Sequence, residues 1–97
     1  TRALVDTESI TGNEEPMTRL VMQTLEPLAR QYQGTLETMN VEPRRDNVLC
    51  CFGAPVVTLS THLDTVPPFF PSREDDEFIH GRGACDVKGI IASMICA

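Results

Sequence analysis

An imidazole and two carboxylates carry the chemistry in this chain. His62 and Asp64 stand in Ser60-Thr61-His62-Leu63-Asp64-Thr65-Val66-Pro67, and Asp86 stands in Gly81-Arg82-Gly83-Ala84-Cys85-Asp86-Val87-Lys88-Gly89. A histidine can give one ring nitrogen to a divalent ion. A carboxylate two positions on, on the same side of an extended segment, then takes the other ring nitrogen, fixing the tautomer and raising the basicity of the ligand. Asp86 follows small residues through which backbone can approach an ion, and it precedes a helix start; its carboxylate can bridge two metals. His62 and Asp86 are therefore the metal-ligand candidates, and Asp64 the catalytic candidate that supports His62. No local spacing rule brings His62 and Asp86 together, so a hydrogen-bonded core histidine and a helix-capping aspartate stay open as the competing reading.

The elements that must position these residues are legible in the surrounding periodicity. Met17, Leu20, Val21, Leu25, Leu28 and Tyr32 form one helical stripe, which predicts an amphipathic helix from about Asn13 to Gln33, capped by Thr11 or Asn13 and stopped at Gly34. Pro16 suits its first turn, whereas Pro27 removes an interior hydrogen bond and predicts a kink near Gln23 to Pro27. Thr35 to Glu42, Asn47 to Phe52 and Val56 to Leu63 read as three strands separated by turn residues. The third is apolar on both faces and is expected at the centre of a covered sheet, with Ser60, His62 and Asp64 on one face at its carboxyl end. Pro67, Pro68 and Pro71 impose a loop, Glu77 to His80 reads as an edge strand, and a last helix starts near Val87 or Lys88 with Ile91, Met94 and Ile95 on one side.

Bulk properties narrow the partners. With 97 residues, 41% hydrophobic and 23% charged, the chain is a single folded unit at most. A net charge of -6 opposes nucleic-acid binding, and Arg44-Arg45 is too small a basic patch to reverse it. The run Glu74-Asp75-Asp76-Glu77 reads as solvated loop charge rather than a cation site. Cys50, Cys51, Cys85 and Cys96 show no zinc-finger or disulfide spacing and read as reduced packing residues, and His80 reads as a loop histidine. No leader opens the chain, and Gly89 to Ala97, its longest nearly apolar stretch, falls short of the ~20 residues of a membrane span. A soluble, cytoplasmic protein without membrane or nucleic-acid partners is the expectation.

The two motifs together, S-x-H-x-D-x-V-P followed by G-R-G-x-x-D-x-K-G, resemble the family of co-catalytic zinc hydrolases that includes acetylornithine deacetylase, succinyl-diaminopimelate desuccinylase, carboxypeptidase G and aminoacylase. Ser9-Ile10-Thr11-Gly12-Asn13-Glu14 looks like that family's turn before its first long helix. The resemblance implies an α/β fold of three layers, a central mixed sheet flanked by helices, of which residues 1–97 form the N-terminal portion. It implies that His62 binds one zinc, that Asp86 bridges two zincs per full-length subunit, that Asp64 holds the His62 ring, and that the Asp86–Val87 peptide is cis. Thr65, Val66 and Pro67 would shape the rim of the cleft, and Arg82 and Lys88 would secure the loop rather than touch substrate. Cobalt or manganese also suits an imidazole and carboxylate set.

What the resemblance implies of function is hydrolysis of the amide bond of an N-acylated amino acid or small peptide. A Glu-Glu pair, a further Asp and a late His, beyond the second motif in the family, would complete the site. A catalytic zinc takes three protein ligands, so residues 1–97 alone are expected to be inactive. The family's lid domain, through which its members form homodimers, is likewise not among these residues. The second reading, from a different class, is a non-catalytic truncated or metal-binding module on the same scaffold.

Overall fold

The computed structural model describes residues 1–97. In chain order it contains α1 (Arg2–Asp6), α2 (Glu15–Gln31), β1 (Thr35–Glu42), β2 (Arg45–Cys51), β3 (Arg73–Glu74), β4 (Ile79–His80) and α3 (Lys88–Cys96). The α/β class is what the structure shows, with helices beside two small antiparallel sheets, β1-β2 and β3-β4.

Helix α2 forms where the apolar stripe lies, burying Met17, Thr18, Val21 and Ala29. Pro16 sits in its first turn, and the helix continues through Pro27 to Gln31 as one element. Its N-cap is Glu14 rather than Thr11 or Asn13, and no side chain caps it. The expected cap is otherwise engaged, because the Thr11 hydroxyl donates to Asp64. Glu14 in turn is buried and pairs with Arg45 at 3.0 Å. At the other end Gln33 takes a left-handed φ of 54° and the Gly34 N–H donates to the Ala29 carbonyl at 2.8 Å. Gly34 is required by close approach: a Cβ there would stand 2.7 Å from the Cys51 carbonyl oxygen.

Strands β1 and β2 pair from Thr35↔Cys51 to Met39↔Asn47, with an irregularity between Asn40 and Glu42, and pack on α2. The core lies among the helices, where Leu4 of α1, Met17 and Val21 of α2 and Val87 with Ile91 at the head of α3 form one buried cluster. Helix α1 carries no periodic signal in so short a run and was not expected. The β3-β4 hairpin is shorter than the expected strand from Glu77, because Asp75 takes the Glu77 and Phe78 amides onto Oδ1 and turns the chain there.

The expected central strand at Val56 to Leu63 does not form, and Val56 is 95% exposed. The β-branched Val56, Val57, Thr58 and Thr61 favour extended backbone, but a strand also needs a neighbour to take its N–H and C=O groups, and none of these 97 residues pairs with 56–63. Val57 and Leu59 are exposed with it. A central mixed sheet between helices is thus not assembled by these residues. What anchors the following segment is a single parallel bridge, Ile10↔Thr65.

Candidate functional site

The bridge sets the position of His62 and Asp64. The Thr65 N–H donates to the Ser9 carbonyl at 2.7 Å, and the Thr11 N–H donates to the Thr65 carbonyl at 3.2 Å. Thr65 is buried, so the backbone beside Asp64 cannot drift. Asp64 then grips its neighbours with both oxygens: the Thr11 hydroxyl donates to Oδ2 at 2.7 Å, and Oδ1 stands 3.1 Å from His62 Nδ1. The Asp64 carbonyl lies 3.0 Å from the same ring nitrogen. Both partners of Nδ1 only accept, so Nδ1 carries the proton, and in the neutral ring Nε2 presents a lone pair.

That lone pair faces Asp86, whose Oδ1 is 3.4 Å from His62 Nε2. Asp86 is delivered by a loop fastened at several points. The Arg82 guanidinium donates through Nε to the Pro68 carbonyl at 2.9 Å and lies 4.8 Å over the Phe70 ring. Lys88 passes beneath the loop with no exposed surface and donates through Nζ to the Thr7 carbonyl at 2.6 Å, while its backbone N–H donates to the Gly83 carbonyl at 2.8 Å. Gly83 is left-handed at φ 80°, and a Cβ there would stand 2.8 Å from the Thr65 methyl and 3.2 Å from Lys88 Cδ. Only glycine lets the loop lie this close to the segment that carries Asp64. The Asp86–Val87 peptide is cis.

His62, Asp64 and Asp86, the residues singled out in sequence, therefore converge on one open cleft of ≈ 350 Å³, with Val66, Arg82 and Cys85 also in its wall. Ser60 does not join them; it is exposed and its hydroxyl makes no hydrogen bond. Cys85 and Cys96 are exposed rather than packed, because the small-residue loop and the end of α3 leave them uncovered. His80 pairs with Asp75 at 2.7 Å, away from the cleft.

The electrostatics follow from these contacts. Desolvation is the largest single influence on His62 and pulls its pKa down. The Asp64 carbonyl, the Asp64 charge and hydrogen bond and the Asp86 charge together outweigh it, so the net shift is upward. The Thr11 hydroxyl is the first cause holding the Asp64 carboxyl below its usual range, followed, against desolvation, by the His62 ring. When the ring is neutral, Nε2 and the Asp86 carboxylate face each other as two donors that a cation between them would satisfy. Zinc bonds of about 2.0 to 2.2 Å to nitrogen and oxygen at a tetrahedral angle imply a donor separation of about 3.4 Å, which is the separation found. The donor set fits a divalent ion but does not fill its shell: no group of three or more His, Cys, Asp or Glu side chains in the chain is arranged to hold a metal ion.

Residues 58–97 match the model of peptidase family M20/M25/M40. Along 99% of its length the chain is 36% identical to a peptidase M20 domain-containing protein of Schizosaccharomyces pombe, covering 24% of that relative. The likeness over residues 58–97 is to this peptidase family. A probable carboxypeptidase of Arthroderma otae is 32% identical, with 99% of the chain and 26% of the relative aligned. A succinyl-diaminopimelate desuccinylase of Marinobacter nauticus is 32% identical, with 97% and 27% aligned. The chain thus spans about a quarter of the length of the curated relatives it matches. No solved structure matches it.

The M20-family match takes in His62, Asp64 and Asp86 but not Thr11, whose contact with Asp64 reaches across 53 positions. Sequence reasoning read that hydroxyl only as a helix cap, and no periodicity links it to Asp64. Nor does any helix of the structure have the length and apolarity to cross a membrane.

Proposed function

We propose that this chain forms the N-terminal portion of the catalytic domain of a zinc-dependent hydrolase that cleaves the amide bond of N-acylated amino acids or small peptides. The single observation that carries the reading is the meeting of His62 Nε2 with Asp86 Oδ1 at 3.4 Å in the wall of a cleft. The names of the relatives, carboxypeptidase and desuccinylase, support amide hydrolysis.

In this reading His62 and Asp86 would hold the metal, and Asp64 keeps the His62 ring turned with Nε2 toward Asp86. When bound, the metal supplies Lewis-acid polarisation of the scissile carbonyl and a water acidic enough to ionise near neutral pH. The chain's own part is positional. The proton stays on Nδ1, the ring cannot rotate away, and the Gly81–Asp86 loop is held against the segment carrying Asp64. Cobalt in place of zinc suits the same donors. Two donors fall short of the three protein ligands of a catalytic zinc, so these 97 residues do not turn over substrate by themselves. In this reading the full-length protein is a homodimer in the cytoplasm, where the lack of disulfide spacing among Cys50, Cys51, Cys85 and Cys96 is at home.

The test is zinc stoichiometry and deacylation of N-acetylornithine and N-succinyl-diaminopimelate by the full-length protein and its H62A and D86A variants. Loss of zinc and of turnover in both variants is expected. Retention of both zincs by the H62A/D86A double variant, or turnover by residues 1–97 alone, sinks the assignment.

A further inference from the structure

Thr11 belongs to no helix or strand, yet its position is determined from two sides. Its N–H is tied to the Thr65 carbonyl at 3.2 Å, and the Asn13 N–H donates to the Ile10 carbonyl at 2.7 Å, closing a turn in which Gly12 takes a left-handed φ of 93°. Ile10 and Thr65 form the parallel bridge. The result is a threonine placed beside a carboxylate that is remote in sequence, with Oγ1 donating to Asp64 Oδ2 at 2.7 Å.

A carboxylate on two oxygens has a broad torsional well, so one partner does not fix its plane. His62 alone engages Oδ1, at 3.1 Å. The Thr11 hydroxyl engages the other oxygen, and the two contacts together set the plane of the carboxylate and hence the rotation of the ring. A hydroxyl-to-carboxylate bond of this length is charge-assisted, roughly twice as strong as a neutral one. The short bond is also not needed by the helix that follows, since α2 has no side-chain cap.

We infer that Thr11 is a positioning residue of the metal centre, acting through Asp64 to aim His62 Nε2 toward Asp86. The inference rests on the metal-binding reading of His62 and Asp86. Thr11 touches neither ion nor substrate; its hydroxyl proton is spent on Asp64 Oδ2, and the bound ion meets a ring already oriented. Outer partners of this kind typically shift metal affinity by 10- to 100-fold, and Thr11, one step further out than Asp64, belongs near the tenfold end.

The experiment measures zinc affinity of the full-length protein by competition with a chromophoric chelator, and the visible spectrum of the cobalt form, in T11V, T11S, D64A, T11V/D64A and H62A. Valine keeps the branched shape and removes the donor; serine keeps the donor. T11V is expected to weaken zinc about tenfold and alter the cobalt spectrum, and T11S to restore both. In the D64A background T11V is expected to have no further effect, because its route to the metal is already cut; a purely structural threonine would give additive losses. T11V with wild-type affinity, T11S as weak as T11V, or additivity with D64A overturns the inference. Should H62A leave zinc affinity unchanged, the metal reading itself fails and the inference with it, an outcome distinct from failure of Thr11 alone. Circular dichroism separates either from misfolding, and if T11V does not fold, T11A takes its place in the same cycle.

Discussion

Replacing Lys88 tests whether the loop that carries Asp86 is held by a buried ammonium. Lys88 has no exposed surface, forms no ion pair, donates to the Thr7 carbonyl at 2.6 Å and stands 5.9 Å from the Phe69 ring centroid. K88A deletes three buried methylenes, about 2.4 kcal/mol at ~0.8 kcal/mol each, and a charged hydrogen bond of about 1.5 to 3 kcal/mol. K88M keeps the volume and loses only the hydrogen bond, against which stands the relief of burying a charge, of the same order. K88M is therefore expected within about 2 kcal/mol of wild type and K88A about 2 to 3 kcal/mol below K88M. The assay is urea unfolding of the full-length protein followed by circular dichroism, at neutral and alkaline pH.

The pH dependence has a definite sign. Desolvation lowers the Lys88 pKa from its ordinary 10.5, with Asp6 and Glu8 opposing. Between the lowered value and 10.5 the unfolded chain binds more protons at this site than the native one, so the Lys88 contribution to stability rises with pH across that window. The stability gap between wild type and K88M should shift in favour of wild type as pH is raised through it. Equal stability of K88A and K88M, or a gap that ignores pH, would refute the reasoning.

Two further outcomes follow from the same geometry. G83A places a side chain at φ 80° and against the Thr65 methyl, and should cost about 2 to 4 kcal/mol while weakening zinc binding. G34A crowds the Cys51 carbonyl far from the cleft and should destabilise without altering zinc affinity; melting curves and chelator competition on the pair check both. Asp75, held first by His80 and then by the Glu77 and Phe78 amides, has its pKa lowered from 3.8 to about 2. Its contribution to hairpin stability is thus present above about 3.8 and lost as pH falls through about 2. A carboxyl carbon-13 titration should find that midpoint and H80A should raise it; a wild-type midpoint of 3.8 contradicts the contact.

The candidate site was legible in sequence to the extent that its residue types announce themselves. His62, Asp64 and Asp86 were singled out by chemistry and by two motifs, and the structure gathers all three. Thr11 was not, because a hydroxyl near a helix start has an ordinary local use as a cap, and only the Ile10↔Thr65 bridge turns it toward Asp64. The family resemblance gave Lys88 a part in securing the loop but not its burial, which depends on the Gly83 turn above it and the Thr7 carbonyl beyond it.

Local order was determined by the sequence itself. The periodicity that makes α2, the β1-β2 hairpin and α3 is a property of residues a few positions apart, and it predicts those elements without reference to anything distant. Tertiary structure alone decided two matters. Residues 56–63 have the composition of a strand, but a ladder is shared by two segments, and their own side chains cannot supply the missing partner. The 3.4 Å approach of His62 to Asp86 likewise comes from the bridge at Thr65 on one side and the Arg82 and Lys88 anchors on the other, contacts between segments that no short-range pattern can encode.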